Sequence, residues 1–153
     1  MTIKFYSKHE AYNEFSNFSP HGIEMDGLWY PTIEHYFQAQ KFHDADYREK
    51  IRRAATPKDA KTLGRSRKYP LREDWEEIKD ELMHEACLKK FRTHKELKKL
   101  LLATGDEELM ENAPMDNYWG GGRYGTGQNK LGRILERVRA LLRAEEADRP
   151  PND

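Results

Sequence analysis

The sequence predicts a mainly α fold, a single multi-helical domain with a small β element near its N-terminus. Apolar residues recur at helical spacing through most of the chain beyond residue 32. Before that point, a short aromatic segment combines strand-forming residues with a tight-turn signal. With 153 residues, the chain can form one domain-sized core but not two. We expect a domain over residues 1–146 and a disordered tail over 147–153.

The N-terminal elements come from local signals. A short strand is predicted in IKFYS, and a hairpin in IEMDGLWY, with Asp26 and Gly27 at its turn. Thr32 is a candidate N-cap after Pro31, so a helix is expected in IEHYFQAQKFHD.

The rest of the chain is predicted to be helical. Thr56 and Pro57 supply an N-cap and a first helical position for one of these helices. The expected helices lie in DYREKIRRAA, TPKDAKTLGRS, REDWEEIKDELMHEACLKKFRTH, KELKKLLLATG, EELMENA and KLGRILERVRALLRAEE.

Composition excludes several classes of protein. The 27 basic and 27 acidic residues cancel, so no whole-chain field attracts nucleic acid or an anionic membrane. The single Cys87 excludes an internal disulfide, and the six histidines lack metal-ligand spacing, so we expect no metal and no cofactor. No apolar run reaches the roughly 18 residues of a membrane span. We expect a cytoplasmic protein without a membrane partner.

Glu34, Gln38 and Lys41 form the first candidate for chemistry. They are spaced by four and then three residues, which places them on one face of a helix. A carboxylate and an amine on one stripe can tune each other's pKa and act as an acid/base pair. The alternative is a solvated stripe that only keeps the helix soluble.

The second candidate is the glycine-rich segment NYWGGGRYGTGQNKLGRIL. Gly120 and Gly127 belong to a run of glycines that permits positive φ, and the run opens a helix, where bare amides can hold an anion. Trp119 and Tyr124 can stack on a base or a sugar. Asp116 can orient a water or a ribose hydroxyl, or it can cap a turn. The segment matches neither a Walker A loop nor a dinucleotide fingerprint.

The third candidate is the basic segment KTLGRSRKYPLRED. Lys61, Arg65, Arg67, Lys68 and Arg72 could hold a phosphate or a nucleic acid there. A surface of mixed charge is the alternative.

Four ordered blocks of the chain resemble the motifs of the NADAR superfamily. They are EFSNFSP, PTIEHYFQAQKF, LGRSRKYPLREDW and DNYWGGGRYGTGQNKLGRIL, and the resemblance extends from about Phe5 to Leu142. It implies a mainly helical N-glycosidase. Members of this kind hydrolyse the C–N bond of phosphoribosylamino-pyrimidine intermediates of riboflavin synthesis. Others remove ADP-ribose from guanine bases, including bases in nucleic acid.

The resemblance also implies site residues. Its acidic and lysine positions are Glu34 and Lys41, and Asp116 is the acid of the last block. Lys41 either forms a Schiff base at C1 of the ribose or acts electrostatically. The expected substrate-binding residues, including those suggested by the patterns above, are Asn17, Ser19, Gln38, Arg65, Trp75, Trp119, Gly120, Tyr124, Gly127 and Asn129. Gly121 replaces an acidic or polar residue found in many relatives, which bears on substrate preference.

Two other functions remain open from the sequence. One is an ADP-ribosyl-guanine hydrolase with the same fold. The other is a binding module for ADP-ribose-like ligands that has no catalytic activity.

Overall fold

The computed structural model describes residues 1–6 and 10–149. Its fold is mainly helical with two small sheets, as the sequence predicts. The six α-helices among these residues are α1 Ile33–Ala39, α2 Ala45–Arg52, α3 Pro57–Arg65, α4 Trp75–Thr93, α5 Lys95–Ala103 and α6 Lys130–Ala147. The four strands are β1 Thr2–Phe5, β2 Ile23–Met25, β3 Leu28–Tyr30 and β4 Glu108–Glu111. None of the described helices is long and apolar enough to cross a bilayer.

The chain divides into two compact units. We call the unit of the two chain ends, residues 1–16 and 91–153, the outer unit, and the unit of the intervening residues 17–90 the inner unit. These names refer to the order along the sequence. Of the predicted tail 147–153, Ala147 ends α6, and residues 150–153 lie outside the described residues.

The inner unit starts with the predicted hairpin. Strands β2 and β3 are antiparallel, and Asp26 and Gly27 both have positive φ (53° and 82°), which is the geometry of a tight hairpin turn. Thr32 caps α1 by accepting a hydrogen bond from the His35 amide, as predicted. Thr56 caps α3 in the same way, with Pro57 as the first helical residue.

Helix α1 ends earlier than the sequence predicts. It stops at Ala39, and the amides of Lys41 and Phe42 donate to the carbonyls of Gln38 and Ala39 three residues earlier. These tighter bonds close the last turn. Phe42 then forms an isolated bridge with Leu71, which pulls the chain into an extended path.

The outer unit contains a strand that sequence reasoning assigned wrongly. The segment EELMENA was predicted to be a helix, but Glu108–Glu111 forms β4, parallel to β1. Glu, Leu and Met favour helices locally. Here the pairing with β1 and the complete burial of Leu109 outweigh that preference, because strand formation depends on partners that are distant in sequence.

Helix α6 packs closely on β4 because of Gly132. A Cβ at this position would lie 2.0 Å from the Leu109 carbonyl oxygen and 2.4 Å from Asn129 Nδ2. The absence of a side chain therefore sets the distance between the helix and the strand.

Gly132→Ala should lower the free energy of unfolding by about 2–3 kcal/mol, because the methyl group overpacks a backbone contact. Helix propensity alone would favour alanine by about 1 kcal/mol. Arg137→Ala, at an exposed position of the same helix, is the control and should change stability by less than about 0.5 kcal/mol. Urea denaturation measures both variants. A Gly132→Ala variant as stable as wild type would show that α6 does not depend on this contact.

Candidate active site

Glu34 and Gln38 form a buried polar pair in the inner unit, and the half-buried Lys41 lies beside it. All seven residues of α1 are buried, and the exposed fractions of Glu34 and Gln38 are only 7% and 5%. Gln38 Nε2 donates a 2.7 Å hydrogen bond to Glu34 Oε2. The alternative of a solvated stripe is therefore wrong, since a stripe of that kind would face water.

Lys41 lies just beyond α1 and still interacts with Glu34. Burial lowers the pKa of the Lys41 ammonium from 10.5 to about 8. The Glu34 carboxylate opposes this shift, whereas the positive charges of Arg67, Arg65 and Lys61 add to it. Among the described residues Lys41 makes no direct ion pair. With this pKa, about a tenth of the Lys41 amines are neutral at pH 7 and about half at pH 8, and a nucleophile or a proton acceptor requires the neutral form.

Asn17 lies beside the start of this group. Its backbone carbonyl accepts the Glu34 amide at 3.1 Å, so it holds the first turn of α1. Its side-chain Nδ2 contacts Met83 Sδ at 3.5 Å, and its Oδ1 is buried without a hydrogen-bond partner among the described residues. Gln38 Oε1 is also buried without a hydrogen-bond partner among the described residues. Buried acceptors of this kind carry a free-energy cost unless another group, such as a ligand, donates to them.

Ser19 is held by a lysine that sequence reasoning missed. Lys90, only 1% exposed on α4, donates from Nζ to Ser19 Oγ at 2.8 Å. Lysine is almost never this buried without a function or a partner. The sequence pattern gave no sign of it, because Lys90 stands next to Lys89 in a helix that is rich in charged residues.

Trp75 and Arg65 are the remaining predicted site residues in the inner unit. Trp75 is 5% exposed and packs on the Phe37 ring with centroids 4.9 Å apart, so it forms part of the core around α1. Arg65 is exposed at the last turn of α3. Whether either residue contacts substrate stays a prediction.

The remaining predicted site residues lie in the outer unit. Asp116 Oδ1 accepts the amides of Tyr118 and Trp119 at 2.9 and 2.8 Å, so this carboxylate caps the turn that places Trp119. The Trp119 ring meets the Tyr118 ring edge to face, and Tyr124 is 81% exposed. Substrate contacts by Asp116, Trp119 and Tyr124 stay predictions.

Asn129, which the sequence analysis expects to bind substrate, makes structural hydrogen bonds within the outer unit, and a substrate contact by it stays a prediction. It is 1% exposed, its Nδ2 donates to the Leu109 carbonyl at 2.8 Å, and its Oδ1 accepts the Glu111 amide at 3.1 Å. Both ends of the side-chain amide are therefore used to attach β4 to the start of α6.

The amides at the start of α6 are not bare, contrary to the sequence-based expectation. Those of Asn129, Lys130 and Leu131 donate to the carbonyls of Gly120, Tyr118 and Trp119. The loop thus caps the helix that follows it, and these three amides are not available to an anion.

The glycines are explained by the same close packing. The Gly127 amide donates to Gly121, and a Cβ on Gly127 would lie 2.7 Å from the Gly120 carbonyl oxygen. A Cβ on Gly120 would lie 2.9 Å from the Glu111 carbonyl oxygen. Gly120 and Gly127 are therefore required where backbone segments of one unit approach one another.

Replacing Lys41 by methionine should stabilise the protein at pH 7. A pKa shift from 10.5 to about 8 corresponds to roughly 3 kcal/mol against the charged form. Since the ammonium keeps some contact with solvent, we expect a gain of about 1–2 kcal/mol.

The sign of the pH dependence follows from the lowered pKa. Between pH 8 and 10.5 the unfolded chain holds more protons at residue 41 than the folded chain, so wild-type stability rises with pH in that window. The advantage of Lys41→Met should therefore shrink as the pH approaches 10.5. Urea unfolding at several pH values measures it, with Lys58→Met, at an exposed position, as the control. A constant difference across this range would contradict the lowered pKa.

Comparisons with known proteins agree with the resemblance found in the sequence. The NADAR domain model matches residues 4–143. The N-glycosidase YbiA of Escherichia coli is 48% identical over 144 residues, which are 94% of this chain and 90% of that protein. The NMR structure of E. coli YbiA superposes with a TM-score of 0.91 at 46% identity, covering 99% of this chain and 90% of that chain.

A more distant relative carries a different name. The chloroplastic riboflavin biosynthesis protein PYRR of Zea mays is 40% identical over 155 residues, covering 92% of this chain but only 25% of the maize protein. The expected enzyme class, a hydrolase acting on N-glycosyl bonds, is confirmed by the close relatives. The chain belongs to the NADAR domain family.

Proposed function

We propose that this protein hydrolyses the C–N glycosidic bond of phosphoribosylamino-pyrimidine intermediates of riboflavin biosynthesis. The observation that carries the proposal is the buried Glu34–Gln38 pair beside Lys41, an amine with its pKa lowered to about 8. The name of the maize relative supports the pathway.

Lys41 is the nucleophile in this proposal. The substrate is a ribosylamine, so protonation of the ring oxygen opens the sugar and leaves an iminium at C1. The neutral Lys41 amine adds to C1, and the aminopyrimidine departs with a proton, leaving an imine between Lys41 and C1. Water then adds to this imine, and its collapse regenerates the amine and releases ribose 5-phosphate.

Glu34 moves the protons in this sequence. Each addition and departure at C1 needs one proton accepted and one donated, and a carboxyl group within reach can do both. Gln38 fixes the orientation of Glu34 through its 2.7 Å hydrogen bond. Asn17 Oδ1, which has no hydrogen-bond partner among the described residues, is the acceptor for a substrate hydroxyl or amino group.

A substrate panel tests the proposal. Purified protein is incubated separately with the phosphoribosylamino-pyrimidine and with ADP-ribosylated guanine, and release of the base is followed by chromatography. We expect release from the first substrate. Release from ADP-ribosyl-guanine alone would replace the proposed substrate, and binding of ADP-ribose without any release would make the protein a binding module.

Glu34→Gln should lower kcat by about 10²–10⁴-fold, the contribution typical of one acid/base group. The fold should persist, because a glutamine carbonyl still accepts the Gln38 hydrogen bond. Glu24→Gln removes an exposed carboxylate from the hairpin of the same unit and should leave kcat unchanged. Steady-state kinetics on the hydrolysed substrate measures both variants. If Glu34→Gln keeps wild-type kcat, Glu34 is not the acid/base group.

A further inference from the structure

Three cationic side chains surround the Lys41 side of the candidate site. Lys61 and Arg65 lie four residues apart on α3 and share one face of that helix, and Arg67 follows its end. All three are close enough to Lys41 to act on its ammonium electrostatically. They are the basic residues for which the sequence left two interpretations open.

These three cations have no carboxylate partners in residues 1–6 and 10–149. Other arginines of the chain do, since Arg52 and Arg53 both pair with Glu49 and Arg72 pairs with Asp74. The chain as a whole has equal numbers of basic and acidic residues, whereas this local cluster joins three cations without a carboxylate partner among the described residues. Like charges held together repel one another, and an anion between them removes that repulsion.

Packing fixes this cluster against α1. A Cβ on Gly64, the residue before Arg65, would lie 1.9 Å from Gln38 Oε1, so the last turn of α3 lies directly on the Glu34–Gln38 pair. Arg67 Nη1 donates to the carbonyls of Gly64 and Ser66 at 2.9 and 3.0 Å, which holds the guanidinium near the helix end.

The other ends of these side chains remain available to a ligand. Arg67 Nη2 and the whole Arg65 guanidinium have no hydrogen-bond partner in the described part of the chain. Lys61 Nζ lies 5.8 Å from the centre of the half-exposed Phe18 ring. Two guanidinium groups and an ammonium are the donors that bind phosphate oxygens most strongly, because arginine bonds them in pairs and lysine adds a point charge.

We propose that Lys61, Arg65 and Arg67 form the subsite for the 5′-phosphate of the ribosyl substrate. The inference rests on the proposed function for the identity of the sugar, and it moves phosphate recognition away from the glycine-rich loop. The amides of that loop at 121, 127 and 129–131 already donate to backbone carbonyls of the loop and of β4.

The phosphate also acts on the nucleophile. In the free enzyme, the positive field of Arg67, Arg65 and Lys61 lowers the pKa of Lys41. A bound phosphate dianion offsets that field. Removing Arg65 should therefore raise the pKa of Lys41. The alkaline rise of kcat/KM should then move to higher pH, a change that a purely structural arginine would not produce.

Kinetics with a substrate pair tests the subsite. In Arg65→Gln and in Lys61→Gln, kcat/KM for the phosphorylated substrate should fall about 10- to 100-fold, the loss expected for one charged hydrogen bond. Measured on the alkaline plateau, above the pKa of Lys41, the value for the dephosphorylated substrate should stay within about twofold of wild type. Lys58→Gln, an equal charge change at an exposed position of the same helix, is the control and should leave both values unchanged. Equal losses on both substrates would overturn the subsite and leave the proposed function standing.

Titration calorimetry separates the two proposals. Wild type should bind ribose 5-phosphate at least tenfold more tightly than ribose, and Arg65→Gln should abolish that difference. Inorganic phosphate should compete with ribose 5-phosphate in wild type and not in the variant. Arg65-dependent binding of ribose 5-phosphate without turnover of the pyrimidine would refute the proposed function alone. Ribose 5-phosphate binding that is unchanged in Arg65→Gln and Lys61→Gln would refute the subsite.

Discussion

The complete burial of α1 is the constraint on which the candidate site depends. A short helix without a solvent face must satisfy every polar side chain it carries from within the protein. His35 does so through Thr32 Oγ1 and the Ala54 carbonyl. Glu34 Oε2 accepts a hydrogen bond from Gln38 Nε2. A carboxylate in such a place is held in one orientation, which is what proton transfer at a fixed atom requires.

The same constraint explains the state of Lys41. The residue follows the last turn of a buried helix, so its ammonium loses part of its contact with water. The Glu34 carboxylate does not compensate for that loss and for the three nearby cations. The folded protein is consequently less stable than it would be with an apolar residue at position 41. In return, it carries an amine that loses its proton more easily. A loss of stability of this kind is common where function and stability compete.

Much of the local structure could be predicted from the sequence because its causes are local. The hairpin at Asp26 and Gly27 and the N-caps at Thr32 and Thr56 depend on neighbouring residues. Strand β4 could not be found this way, because its partner β1 lies about a hundred residues away and its own residues favour a helix.

The glycine-rich loop shows the same limit for the site. Its composition favours a site for an anion. A sequence does not reveal that the loop carbonyls accept the amides at the start of α6, or that the Asn129 side chain bonds to the backbone of β4. The spacing of Glu34, Gln38 and Lys41 indicated residues that interact in the structure, even though α1 ends before Lys41. The burial of Lys90 depends on tertiary packing and required the structure. The same holds for the lack of carboxylate partners for Lys61, Arg65 and Arg67 among residues 1–6 and 10–149.

Reductive trapping tests the central claim, that Lys41 is an amine available for covalent chemistry. The protein is incubated with ribose 5-phosphate, whose open form is an aldehyde, and borohydride is added to reduce any imine to a stable secondary amine. Peptide mapping by mass spectrometry then locates the sugar phosphate. The account predicts a single modified residue, Lys41, with labelling that increases from pH 6 through about pH 8 as the amine loses its proton. Labelling spread over exposed lysines, with Lys41 unmodified, would contradict it.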